Sequence, residues 1–257
     1  MDNSMHRLFS THAHRDIHYL VIPKCGCTYV KNVLWRIDYE RSHDNPVRVH
    51  DNDDDFPRAD DHGHTIESIR ENPYAFTVFR NPIDRFLSLY FDKVIGDGHK
   101  NFVPLRELLV NYYGIYPEPL SVKDHRRNCM ILLDWIEMSL HNEAEINPNP
   151  HWTPQGWRMG IIKKYDLKIL MLDNLGEKLK LLLRPLVPNI DQFVDGIEKN
   201  SSKKSIGRNQ LMDDRLRERI KEIYHHDQWL TRRAWKYWSD NNPAHSDEIP
   251  RISQIIA

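Results

Sequence analysis

Three apolar runs, each followed by a stretch with helical spacing, set the rhythm of this chain. Residues 17–22 (Ile17-His18-Tyr19-Leu20-Val21-Ile22), 74–79 (Tyr74-Ala75-Phe76-Thr77-Val78-Phe79) and 166–172 read as buried strands. After the first run, residues 30–37 have the spacing of a helix. A short helix is expected over 65–72. Beyond the second run, Asn81 is a good N-cap and Pro82 suits the first helical position. In that helix Phe86, Leu89 and Tyr90 share a core face, and Ser88 sits on another side. Residues 121–140 form the clearest long helix, capped by Ser121, with Val122, Cys129, Leu132, Leu133 and Ile136 as its apolar stripe. The third strand leads into a helix through Leu186. Residues 213–237 are helical, with Leu216, Ile220, Ile223 and Tyr224 inward and a break near His226. Strands alternating with helices predict an α/β architecture with a mainly parallel central sheet flanked by helices. A ligand then belongs at the carboxyl ends of the strands, where Lys24 and Arg80 lie.

The remaining stretches are polar. Residues 1–15 are expected to fray. Residues 42–64, with Asp51, Asp53, Asp54, Asp55, Asp60 and Asp61, read as a long acidic surface loop. At 257 residues the chain can bury a sizeable core as one domain over 1–257. The net charge of −1 gives no global basic footprint for nucleic acid. Only three cysteines occur: Cys25 and Cys27 are too close for an easy disulfide, and Cys129 falls in a helical pattern as a core residue. That usage favours a reducing compartment, hence a cytoplasmic protein. Cys25 and Cys27 have no second pair to complete a zinc site, so no metal is expected. No apolar N-terminal run is long enough for a membrane anchor or signal peptide, so no transmembrane segment is expected.

Chemistry concentrates at the ends of the first two strands. Pro23-Lys24-Cys25-Gly26-Cys27-Thr28-Tyr29 joins a buried strand to a helix. The opening N–H groups of a helix have no partner within it, the helix dipole adds partial positive charge, and Lys24 adds a full one. This is the composition of an oxyanion site for a phosphate or sulfate ester. A Walker A loop would need Gly-x-x-x-x-Gly-Lys-Ser/Thr; here Lys24 opens the turn and only Gly26 is glycine. The short loop suits one phosphate and one further charged group. Read alone, it also fits an ordinary strand-to-helix connection with a surface lysine. Arg80, at the end of the second strand, and Ser88, two turns into the next helix, could reach one phosphate together. Read singly, they also fit an ion-pair partner and an indifferent helix residue.

The two stretches together resemble the sulfotransferases. Residues 23–29 look like that family's 5′-phosphosulfate loop. The stretch from Arg80 through Pro82, Arg85 and Ser88 to Tyr90 looks like its 3′-phosphate motif, Arg-x-Pro-x-x-Arg-x-x-Ser-x-Tyr. Asn149-Pro150-His151-Trp152-Thr153-Pro154 is similar to the Asn-x-His-Trp-x-Pro segment of carbohydrate sulfotransferases of the chondroitin, dermatan and HNK-1 type. Residues 165–175, 200–203 and 219–227 resemble later segments of those enzymes, in the same order. The animal enzymes carry cysteines shortly after His-Trp-x-Pro and are Golgi-anchored; residues 156–161 here contain no cysteine.

The resemblance implies a P-loop-like sulfotransferase fold and 3′-phosphoadenosine 5′-phosphosulfate (PAPS) as donor. It implies a hydroxyl of a carbohydrate or glycan as acceptor and in-line displacement at sulfur. The 5′-phosphate then falls to Lys24, the backbone of Cys25, Gly26, Cys27, Thr28 and Tyr29, and the Thr28 hydroxyl. The 3′-phosphate falls to Arg80 and Ser88. Lys24 neutralises charge on the leaving oxygen. His151 is the expected base, since an unperturbed imidazole titrates at about 6.5; it also fits a structural histidine beside Trp152. His62 and His64 are the runners-up. Lys203, Lys204 and Arg208 fit either a cap over the nucleotide or solvated surface. Trp229, Trp235, Tyr237 and Trp238 fit sugar stacking, or packing at helical spacing. Two other functions compete: a P-loop kinase-like enzyme using ATP and magnesium, and a non-catalytic nucleotide- or glycan-binding relative.

Overall fold

The computed structural model describes residues 9–11, 16–49, 56, 58–59, 62–95, 100–197, 206–240 and 249–257. In chain order the elements begin with β1 (Phe9–Thr11), β2 (His18–Leu20), α1 (Cys27–Tyr39), α2 (Ile66–Glu71), β3 (Ala75–Phe79) and α3 (Pro82–Leu89). The last turn of α3 widens into a π-helical turn at Tyr90–Val94. Next come α4 (Val103–Asn111), α5 (Val122–Leu140), α6 (Met159–Lys164), β4 (Lys168–Met171), α7 (Leu175–Leu183) and α8 (Asp191–Val194). The chain closes with α9 (Arg208–Leu211), α10 (Asp214–Ile223), α11 (His225–Asp240) and α12 (Ile252–Ile256).

The described chain divides into two compact units, one built from residues 1–80, 157–200 and 230–257, the other from 81–156 and 201–229. The first unit holds the sheet, in the order β1-β2-β3-β4. β2, β3 and β4 run parallel, with Tyr19 opposite Phe76 and Thr77 opposite Ile169. All five residues of β3 are buried, as a central parallel strand covered on both faces requires. The polar side chain in that strand, Thr77, donates its hydroxyl to the Leu20 carbonyl at 2.9 Å. The α/β class and the mainly parallel sheet flanked by helices are as the sequence predicts.

Of residues 1–15, expected to fray, the described ones, Phe9–Thr11, form a strand. Phe9–Thr11 pairs antiparallel with β2, because the Phe9 ring is wholly buried against Tyr165, centroids 4.9 Å apart. A second unpredicted feature lies along β4. Ile169 donates its N–H to Pro250, Ile252 donates to Leu167, and Lys168 bridges to Arg251, so the segment before α12 lies along that strand. Arg251 pins it by donating to the Asp166 carbonyl at 2.8 Å and the Arg70 carbonyl at 3.0 Å.

The second unit is helical and has its own apolar core, including Phe86, Leu133, Trp135, Trp152, Ile220 and Tyr224. α5 starts at a capping box: Ser121 Oγ accepts from the Asp124 N–H, and Asp124 accepts from the Ser121 N–H. α3 starts as expected, with the Asn81 side chain accepting from the Ile83 N–H and Pro82 in the first turn. α3 is buried on nearly every side, Ser88 included. The helical stretch 213–237 breaks at Tyr224, two residues before His226.

Candidate functional site

In the first unit, β2 runs out at Leu20 and the chain turns through Pro23, Lys24, Cys25 and Gly26 into α1. Two residues of the turn are left-handed, Lys24 at φ 68° and Gly26 at φ 80°. Gly26 suits this turn chiefly by its backbone. Its φ strains any side chain, and a Cβ there would stand 2.6 Å from Leu172 Cδ1. Gly26 is also the N-cap, so no side chain closes the helix start, and the first turn of α1 holds no acidic residue. The side chain of Cys25 is buried in the core, and those of Cys27 and Tyr29 pack against it. What these residues bring to the loop is therefore backbone. Arg80, just past β3, donates from Nη1 to the Lys24 carbonyl at 2.9 Å and so braces the turn. The structure thus brings Lys24 and Arg80 together.

His62 and His64 also lie in the first unit. The His64 ring meets His18 edge-on at 4.5 Å, and His62 is exposed. Burial, with a smaller push from His64, lowers His18 to about 4, so that imidazole stays neutral near neutral pH. The acidic positions 51, 53–55, 60 and 61 lie outside the described residues, as do Lys203 and Lys204.

The second unit carries Ser88 and His151. His151 sits in an irregular stretch between α5 and α6, and its Nδ1 is 2.8 Å from Asn149 Oδ1. That oxygen also accepts from the His151 backbone N–H at 3.0 Å, which fixes it as an acceptor. Nδ1 is then the donor in this contact, so in the neutral ring the lone pair falls on Nε2. The ring also meets Phe102 edge-on at 4.8 Å, and Lys93 Nζ lies 4.9 Å over the same Phe102 ring. Beside it, the Trp152 indole donates to Ser139 at 3.0 Å, and the Tyr224 hydroxyl donates to the Trp152 carbonyl at 2.8 Å.

Three residues escaped the sequence reading as participants. Asn149 was legible only as part of a motif. Arg85, three residues before Ser88 on α3, donates to the carbonyls of Pro150 and Thr153, both at 2.8 Å. Asp227 accepts from the N–H groups of Gln155 and Gly156, both at 2.8 Å. A buried arginine and a buried aspartate are the signals that mark these last two. Arg208 pairs with Asp84 of α3 at 2.7 Å. Trp229 and Trp235 are each about half exposed. Among the described residues, no three His, Cys, Asp or Glu side chains gather as a metal-holding group. No helix among them is long and apolar enough to cross a membrane.

A family model described as the sulfotransferase family matches residues 6–230 and so runs through both units. Comparison with curated proteins and with solved structures finds no match.

Proposed function

The chain belongs to the sulfotransferase family, whose chemistry is sulfuryl transfer, and from that premise we propose that it moves a sulfuryl group from PAPS to a carbohydrate hydroxyl. The observation that carries the donor assignment is the turn before α1. It combines left-handed Lys24 and Gly26, a helix start with neither side-chain cap nor acid, and Arg80 braced on the Lys24 carbonyl. Such a turn fits a phosphosulfate group. When bound, PAPS supplies the sulfuryl group and a 5′-phosphate leaving group. Lys24 and the backbone of residues 25–29 hold the 5′-phosphate, with the Thr28 hydroxyl, and Lys24 offsets the negative charge that grows there. Arg80 and Ser88 hold the 3′-phosphate. His151 takes the acceptor proton on Nε2, the nitrogen that its Asn149 contact leaves basic.

The resemblance of residues 149–154 to the glycan enzymes supports a sugar acceptor. All three cysteines are among the described residues and none forms a disulfide, which supports a reducing, cytoplasmic setting. We read both units as parts of one catalytic domain, since the family match covers each.

The test is thermal stability with 3′,5′-ADP against 5′-ADP, with and without magnesium. A ligand at about 100 times its Kd stabilises by about 2.7 kcal/mol. The expected result is stabilisation by 3′,5′-ADP without metal, lost in Arg80→Ala. A magnesium-dependent response to 5′-ADP alone would replace this reading with a kinase-like one.

A further inference from the structure

The stretch carrying His151 has no regular hydrogen-bond ladder, so its buried backbone groups need partners from elsewhere. Arg85 and Asp227 provide them from two helices, α3 and α11, and both side chains are almost wholly buried, at 3% and 0% exposure. The guanidinium spans the His151-Trp152 pair, with Nη1 on the Thr153 carbonyl and Nη2 on the Pro150 carbonyl. The carboxylate takes the next two backbone N–H groups, those of Gln155 and Gly156, and the Gln155 side-chain amide at 3.3 Å. The two charges also support each other. Burial pushes the Asp227 carboxyl up, while the Arg85 charge and the donated N–H groups pull it back.

We propose that Arg85 and Asp227 form a clamp that holds His151 in its working position, so that Arg85 is a positioning residue for the base and not a ligand of the donor's 3′-phosphate. The proposal rests on the reading of His151 as base. It separates two arginines that share one sequence motif. Arg80 braces the anion-binding turn, whereas both terminal nitrogens of Arg85 face carbonyls of the histidine segment. A group acting only through His151 has no effect once His151 is gone.

The experiment measures kcat for sulfuryl transfer and Kd for 3′,5′-ADP in the full chain. The variants are Arg85→Ala, Asp227→Asn, His151→Ala and the Arg85→Ala/His151→Ala double. The expected result is a fall in kcat of about tenfold or more for Arg85→Ala, with Kd for 3′,5′-ADP unchanged within about twofold, and a double variant no slower than His151→Ala alone. Asp227→Asn keeps the shape but removes the charge and one of the two accepting oxygens; it should also lower kcat with the same unchanged Kd, and it carries the test if Arg85→Ala does not fold. A loss of 3′,5′-ADP affinity in Arg85→Ala to match Arg80→Ala would overturn the clamp alone, as would a double variant far slower than His151→Ala. Wild-type turnover in His151→Ala would remove the base assignment and the clamp with it.

Discussion

The turn before α1 and the stretch around His151 solve opposite problems. The first, as the proposed donor site, must suit an anion, and its features are those of backbone: two left-handed residues, a glycine cap and no carboxylate in the opening turn of the helix. The second must hold an irregular stretch of backbone around His151, and buried side chains brought from distant parts of the sequence hold it: Arg85, Asp227, Tyr224 and Ser139. In the first region, function is expected to be separable from stability, because Lys24 contributes charge to a shape set by its neighbours. In the second, the groups that position His151 also satisfy the buried backbone, so the two should move together.

Lys24→Ala is the strongest way to break this comparison. Turnover of a radiolabelled donor should fall by about 10²–10³-fold, while the melting temperature holds. A variant that keeps wild-type turnover refutes the role of Lys24, and one that loses both activity and fold removes the contrast. Tyr224→Phe tests the other region. It deletes the donor to the buried Trp152 carbonyl and should cost about 1–3 kcal/mol in denaturant unfolding, with a parallel loss of turnover. Lost stability with turnover intact would show that the Trp152 carbonyl is irrelevant to His151. Gly26→Ala has the smallest expected effect and sharpens the first half. The left-handed φ costs ~1–2 kcal/mol for an L side chain, and the added Cβ must displace Leu172. Here the melting temperature should fall and 3′,5′-ADP should bind more weakly, since the lesion is in the backbone proposed to bind it.

The same contrast explains what was readable in the sequence. The turn proposed to bind the donor is local: strand, Lys24, Gly26 and helix lie within a few residues, and each leaves a compositional mark. The strands β2, β3 and β4 and the long α5 announce themselves by apolar runs or by spacing. The clamp does not, because Arg85 meets partners 65 and 68 residues further on, and Asp227 meets Gln155 across 72 residues. β1 was hidden because a three-residue strand resting on one buried phenylalanine has no period to detect. The short helices α6, α8 and α9 span too few turns for a stripe. The two cores were invisible because their segments interleave along the chain, so no linker marks a boundary.

The segment laid along β4 has a consequence for how this protein behaves in company. A strand edge with open N–H and C=O groups is a template for another chain. Here Pro250, Arg251 and Ile252 occupy that side of β4, and they lie beyond the region matched by the family, which ends at residue 230. Any fusion, tag or cut that lifts residues 250–256 away should open that side of β4 to pairing between molecules and uncover the core contacts of Ile252 and Ile255, with self-association as the symptom.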